Sequence, residues 1–342
     1  MKHLKNYKLF NEALGIANPT LIFNDIILRD FEKYLIEFQS MSDSKFTKTV
    51  KYTMEDLADI TSKPDWSKMP VSSMSIDYGY TRMTDEEFSK KYPTTSSIKD
   101  FSGTGGCYSI DDESEGASYI KSDNTIHLLM EIGAIINTKF SDIEGLLIET
   151  ESSITHELNH AYEGWSRVSR GNGEISTDIT FALDPNRSKI KKQIWDVWAK
   201  NISYILYWSE NHEINAMTQD ALPYVKRYDI EEMKKKTPSW RFASEMCDFK
   251  ADKFKKEISD VINKFYPDVN PELILNRLKN GFANELGKSR EESILRAVDA
   301  PSMSSEKIYK MNIDKFLKLV ETRVNKAGDR LKRRILRLYS FE

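Results

Sequence analysis

Apolar residues recur at helical intervals over most of the chain, and they alternate with polar residues in only a few short stretches. Spacings of three and four residues predict helices at residues 20–40, from about 185 to 208, and in most of the chain after 228. Alternating patterns predict strands at residues 45–52 and 71–83. The pattern therefore indicates an α+β protein that is mostly helical.

Two further stretches are interpreted from their turn-forming residues. Residues 118–130 predict a β-hairpin, because two apolar runs flank Ser122, Asp123 and Asn124. The glycine-rich stretch at 102–106 is predicted to be a surface loop, with a mobile loop near a functional site as the alternative. It lacks the Lys-Ser/Thr ending of a phosphate-binding loop and therefore does not indicate a nucleotide site.

The last helical stretch, at residues 305–338, combines an apolar stripe with a basic remainder. From Glu306 to Glu342 the chain has 11 Lys/Arg and 5 Asp/Glu. A helix of this kind packs its stripe on a core or binds a membrane surface or nucleic acid, and packing on the core is the interpretation we favour. The stripe consists of Ile313, Phe316, Val320, Val324, Ala327, Leu331, Ile335 and Leu338.

Composition narrows the class of protein. The 342 residues are 39% hydrophobic and 30% charged, with a net charge of −3, so nucleic acid is not an expected partner. The two cysteines, Cys107 and Cys247, form no disulfide framework and favour a reducing compartment such as the cytoplasm. No apolar run is long enough for a transmembrane helix, and the N-terminus lacks the apolar stretch of a secretory signal.

Prolines and a shift towards basic residues suggest three parts. Residues 1–70 form an N-terminal helical segment, 71–228 a core, and 229–342 a helical C-terminal region. Residues 1–14 predict a short amphipathic helix that Gly15 ends, and we interpret it as a delivery or docking segment, with an ordinary first helix packed on the core as the alternative.

The strongest chemical signal is H-E-x-x-H, formed by His156, Glu157 and His160. On a helix, residues four apart lie on one face, so both imidazoles can reach one Zn²⁺ at about 2.0–2.1 Å. Glu157 can then act as a general base on the metal's water. The chain has only 5 histidines, which makes a chance match rare.

A catalytic zinc usually has three protein ligands. The remaining histidines are poorly placed, so a carboxylate is expected as the third ligand. Glu213 is the first choice, because it begins a predicted helix and a small residue, Ala216, follows it closely. Glu210 and Glu163 are the alternatives.

The motif together with a downstream glutamate resembles the gluzincin group of zinc metallopeptidases, over about residues 118–225. The resemblance implies a zincin-like core with a small sheet and two ligand-bearing helices, in which the hairpin ending at Met130 is the edge strand. An extended peptide would add to the strand at 125–130. The aspartate usual four residues after the ligand glutamate is absent, since position 217 is Met.

Two stretches also resemble proteins encoded by bacteriophages. Residues 207–216 resemble the second-helix segment of small bacterial and phage-encoded members of the group, and residues 1–12 resemble the start of proteins from large tailed bacteriophages. The resemblance implies a location in the host cytoplasm or the virion, with other virion proteins as partners.

These observations predict a metalloendopeptidase that binds Zn²⁺ through His156, His160 and Glu213 and acts on a peptide or protein substrate. Tyr207 is the candidate oxyanion partner, with Tyr204 and Tyr162 as alternatives. One rival hypothesis is a non-catalytic structural or binding protein stabilised by metal, such as a virion component. Another is a DNA- or membrane-associated protein that uses its basic last helix.

Overall fold

The computed structural model describes only part of the chain. The described residues are 19–41, 43–53, 73–84, 86–87, 101–109, 125–135, 147–156, 159, 190–295 and 304–339. The chain divides into two compact units, of which the first comprises Met1–Trp165, Gln219–Tyr228 and Phe341–Glu342, and the second Ser166–Thr218 and Asp229–Ser340. The three functional parts predicted from the sequence stay a prediction.

A four-stranded sheet forms part of the first unit. Its strands are β1 (Lys45–Thr53), β2 (Ser73–Met83), β3 (Phe101–Ser109) and β4 (Thr125–Ile135), in the order β1-β2-β4-β3. β1 is antiparallel to β2, β2 is parallel to β4, and β4 is antiparallel to β3. Among the described strands, β1 and β3 are therefore the edges of this sheet, and β4 is an inner strand.

The sheet confirms the strands predicted at 45–52 and 71–83 and corrects two other predictions. Residues 102–106 belong to β3 and not to a loop. Glycines have little intrinsic strand preference, and here the pairing with β4 orders their backbone. The strand at 125–130 is not an edge strand, since β2 and β3 flank it, so no peptide can add there. Residues 118–124 of the predicted hairpin lie outside the described residues.

The helix predicted at 20–40 is confirmed as α1 (Pro19–Ser40), and its apolar face packs on β2. The Phe31 and Tyr80 rings have centroids 5.8 Å apart, and the Tyr80 hydroxyl donates to the Phe31 carbonyl at 3.0 Å. Near the end of α1, Arg82 lies 4.4 Å from the Phe38 ring and donates to the Phe38 carbonyl at 2.9 Å. Cationic donors of this kind satisfy the carbonyls that the last turn of a helix leaves unpaired.

Helices make up most of the rest of the described chain. They are α2 (147–156, with Asn159 also helical), α3 (Lys192–Trp198), α4 (Tyr204–Trp208), α5 (Asn211–Asp220), α6 (Leu222–Val225), α7 (Ile230–Lys236), α8 (Pro238–Asp248), α9 (Ala251–Phe265), α10 (Pro271–Leu295), α11 (Ser305–Lys310) and α12 (Ile313–Leu338). A π-helical turn at Ala199–Ser203 joins α3 to α4 without a break, which confirms the described part of the helix predicted to end near residue 208.

The core of the second unit forms around Trp198, which is fully buried. Its ring stacks on Phe316 with centroids 6.1 Å apart, and Phe254 and Phe282 extend the cluster. These four residues come from α3, α12, α9 and α10, respectively. All eight residues of the predicted stripe on α12 are buried, so the stripe packs on the core as expected.

Local capping explains why some predicted helices are divided. The run at 305–338 is two helices, because the Asn312 side chain accepts a hydrogen bond from the Lys315 amide at 2.9 Å and starts α12 there. Within the helical stretch predicted after residue 228, α8 and α9 are likewise separate helices, because Phe249 and Lys250 are extended between them. Within the described ranges, no helix is long and apolar enough to cross a membrane.

Gly328 allows α12 to approach α8 closely, and replacing it with Ala should destabilise the protein. The added Cβ would lie 2.6 Å from the Ala243 carbonyl oxygen and 2.8 Å from the Cys247 Sγ. Overpacking of this kind typically costs about 1–3 kcal/mol, which exceeds the gain of about 1 kcal/mol from replacing Gly in a helix. Chemical denaturation of wild type and Gly328→Ala measures the difference.

Gly287→Ala is the matched control, because the nearest atom to its added Cβ is the Ser305 Oγ at 3.3 Å. A hydroxyl can move by the few tenths of an ångström required, so this variant should be as stable as wild type or slightly more stable. Equal stability of Gly328→Ala and wild type would contradict the close packing of α8 and α12.

Candidate functional site

The helix that carries the start of the H-E-x-x-H motif has an unusually polar buried surface. In α2 the buried residues include Thr150, Glu151, Ser152 and Thr155, and Asn159 further along is also buried. Buried polar groups are costly unless they find partners, and the Thr155 hydroxyl donates to the Glu151 carbonyl at 2.7 Å. This concentration of buried polar groups makes α2 a candidate for a functional site.

His156 forms the central contact of this site. Its Nδ1 lies 3.3 Å from Oδ2 of Asp220, and the two side chains are 21% and 11% exposed. An Nδ1–H donated to a carboxylate selects the tautomer whose lone pair is on Nε2. Histidines that bind metals commonly make this hydrogen bond, which orients the ring and raises its basicity. The described geometry of His156 therefore fits a metal ligand.

A second polar contact joins α2 to the segment at residues 219–228. Glu151, one turn before Thr155 on α2, lies 2.9 Å from Nη1 of Arg227 and 3.8 Å from Nζ of Lys226. The same Arg227 nitrogen donates to the Pro223 carbonyl at 3.0 Å, which links the contact to α6. Residues 219–228 are thus joined to α2 at two places, and this attachment directs Asp220 towards His156.

The predicted third ligand lies in the second unit. Glu213 is in the first turn of α5 and is 2% exposed. Its Oε1 is 3.5 Å from Nε2 of His212, and the ring of Tyr207 packs edge-on against the His212 ring at 6.0 Å. The structure therefore brings Tyr207, His212 and Glu213 together, with the Glu213 carboxylate held in the interior.

The alternatives to Glu213 and Tyr207 differ in their surroundings. The Glu210 carboxylate is bound by the Arg323 guanidinium, and this pairing makes it a poor metal ligand. Tyr204 is 48% exposed, so it lacks the dry environment in which an oxyanion partner is most effective. Glu163 and Tyr162 lie outside the described residues.

The described residues contain only part of the predicted metal centre. Glu157 and His160 lie outside them, so the structure gives the geometry of the motif through His156 alone. Over the described ranges, no group of three or more His, Cys, Asp or Glu residues is placed to hold a metal ion.

Asp220 is the site residue that sequence reasoning missed. The aspartate usual in the gluzincin pattern is absent, since position 217 is Met, and the carboxylate that contacts His156 comes from three residues further along α5. The available signal was periodicity, because positions 213 and 220 are seven residues apart and lie on one face of a helix.

Comparison of the chain with protein-family models, with curated proteins and with solved structures finds no match.

If His156 binds zinc as the sequence predicts, Asp220→Asn should weaken that binding about 10- to 100-fold, the usual effect of losing a carboxylate that orients a metal-bound histidine. The substitution preserves the size of the side chain but removes its charge. Competition with a chromophoric chelator measures the zinc affinity of the folded protein.

Asp229→Asn is the control, because Asp229 caps α7 by accepting a hydrogen bond from the Glu232 amide at 2.9 Å. Asparagine caps a helix equally well, so this variant should bind zinc like wild type. Zinc affinity of Asp220→Asn equal to that of the control would show that Asp220 has no part in binding the metal.

Proposed function

We propose that this protein is a zinc-dependent metalloendopeptidase of the gluzincin type. The observation that supports the proposal most directly is the hydrogen bond between His156 and Asp220, because it joins the first histidine of an H-E-x-x-H motif to a largely buried carboxylate. Such a pair prepares an imidazole to bind a metal through Nε2.

The proposed zinc ligands are His156, His160 and Glu213. Two imidazoles and one carboxylate form the ligand set typical of catalytic zinc in metallopeptidases and leave one position open. Glu213 is preferred over Glu210 on the contacts of each side chain, because the first is buried beside His212 and the second is paired with Arg323.

Bound zinc would supply a Lewis acid that polarises the scissile carbonyl and lowers the pKa of water towards about 7. Glu157 would accept a proton from the attacking water as its oxygen bonds to the carbonyl carbon. The C–N bond then breaks, and Glu157 passes the proton to the leaving amine. Tyr207 would donate its hydroxyl to the carbonyl oxygen as negative charge develops there.

The substrate class that fits this chemistry is a peptide or protein. The resemblance to phage-encoded proteins favours the host cytoplasm or the virion as the location, with virion proteins as partners. The alternative function is a non-catalytic protein that the same metal stabilises, and it shares the ligands but does not require the base.

Glu157→Gln separates these two functions. The variant removes the proposed base and no ligand, so it should keep stoichiometric zinc and wild-type thermal stability while losing nearly all peptide cleavage. Metal analysis and cleavage of a peptide library by the same preparations provide the measurements. Undiminished turnover by Glu157→Gln would refute the mechanism, and zinc binding without cleavage by wild type would favour the non-catalytic alternative.

Glu213→Ala tests the ligand assignment. Loss of a ligand should weaken zinc affinity by at least about tenfold and lower the melting temperature of the zinc-loaded protein, because metal binding contributes to folding free energy. Glu210→Ala and Glu163→Ala should have zinc affinities much closer to that of wild type. If one of these two variants loses zinc while Glu213→Ala retains it, the third ligand has been assigned to the wrong residue.

A further inference from the structure

Three arginines lie along one side of α12, outside its apolar stripe. Arg323, Arg330 and Arg334 are separated by seven and four residues. At about 100° per residue, these positions fall within about 40° of one another around the helix axis. They form a row that runs along the helix, which we call the arginine row.

The first member of the row contacts the turn before α5. Arg323 donates from Nε to the Ser209 hydroxyl at 3.1 Å, and its Nη2 donates to the Glu210 carboxylate. Each contact spans more than 110 residues of chain, and both partners lie in the same compact unit as α12.

The other two members contact α5 itself. Arg330 donates from Nη1 to the side-chain oxygen of Asn211 at 2.8 Å, and Arg334 donates from Nη1 to that of Asn215. Asn211 and Asn215 are four residues apart, so they lie on one face of α5. The arginine row therefore contacts successive turns along that face.

The contacted face is opposite the one with the site carboxylates. Relative to the mean direction of Asn211 and Asn215, both Glu213 and Asp220 lie at roughly 160–180° around the axis of α5. Their burial agrees, since Glu213 is 2% and Asp220 8% exposed. Fixing the rotation of α5 from its asparagine face therefore fixes the direction in which the Glu213 carboxylate leaves the helix.

The two arginines that contact α5 bind neutral groups, because Arg330 and Arg334 donate to the side-chain amide oxygens of Asn211 and Asn215. Burial lowers the pKa of Arg330, and the positive charge of the nearby Arg323 lowers it further. A guanidinium stays protonated despite such shifts, and its planar group of donors holds a fixed geometry better than an ammonium does.

We propose that Arg330 and Arg334 are positioning residues that fix the rotation and register of α5, and through it the direction of Glu213. The proposal rests on the proposed function, in which Glu213 binds zinc. It also explains the basic residues on this side of α12 without a membrane or nucleic-acid partner.

The first test concerns α5 in the metal-free protein. In Arg330→Gln/Arg334→Gln, hydrogen–deuterium exchange of the α5 amides should accelerate about tenfold, while exchange in α9 should not change. The control is Arg333→Gln/Arg337→Gln, which removes the same charge from two exposed positions of the same helix. Equal exchange in α5 of both double variants would overturn the proposal.

The second test concerns zinc, measured well below the melting temperature so that all variants are folded. Arg330→Gln/Arg334→Gln should bind zinc about tenfold more weakly than wild type and the control. The double lysine variant, Arg330→Lys/Arg334→Lys, keeps one donor at each position and should recover much of the loss. In a Glu213→Ala background the glutamine changes should have no further effect on zinc affinity. A general loss of stability would instead lower zinc affinity in that background as well.

The outcomes distinguish the two proposals. If Glu213→Ala weakens zinc binding and Arg330→Gln/Arg334→Gln does not, the positioning role is wrong and the proposed function stands. If wild type binds no zinc, the proposed function fails and the positioning of a zinc ligand fails with it. The exchange experiment would still report whether the arginine row holds α5.

Discussion

Burial of one apolar stripe on α12 is the constraint on which the second unit depends. A long helix gains most of its stability from packing an amphipathic face, and here that face contributes Phe316 to the cluster around Trp198. Because the stripe fixes which side of α12 is inside, it also fixes where the flanking arginines emerge. The contacts of Arg330 and Arg334 with α5 are in this sense a consequence of the core.

The interior around α2 differs from the apolar core of the second unit. Its buried positions are mostly polar, although Ile148 and Ile154 are also buried, and each of the two carboxylates there, Glu151 and Asp220, has a cationic or imidazole neighbour. An apolar core would be simpler to stabilise, since burying charged groups is costly even when they are paired. Proteins tolerate such departures mainly at functional sites, which is why the polarity of this helix supports the proposed chemistry.

Sequence patterns predicted the parts of the fold that local periodicity determines. The stripe of α12, helix α1 and strand β2 depend on spacings within one element, and the structure confirms them. β3 was missed, because its glycines have little strand preference and only pairing with β4 orders them.

The candidate site shows the same limit. His156 was found because its motif is contiguous in sequence, whereas Asp220 and the arginine row act across 64 and more than 110 residues of chain. Contacts of this kind depend on how elements pack, and a single sequence carries no direct record of that packing. Periodicity places Asp220 on the same face of α5 as Glu213, but it does not say which residue that face meets.

The two edges of the sheet have a consequence for the behaviour of the protein at high concentration. Exposed lysines at 45, 48 and 51 lie along β1, and the pairing of β3 with β4 is irregular between Ser102 and Gly105. Charged side chains and bulges make an edge strand a poor template for another strand. Within the described residues, both edges of the sheet therefore carry features that disfavour edge-to-edge pairing between copies of the chain.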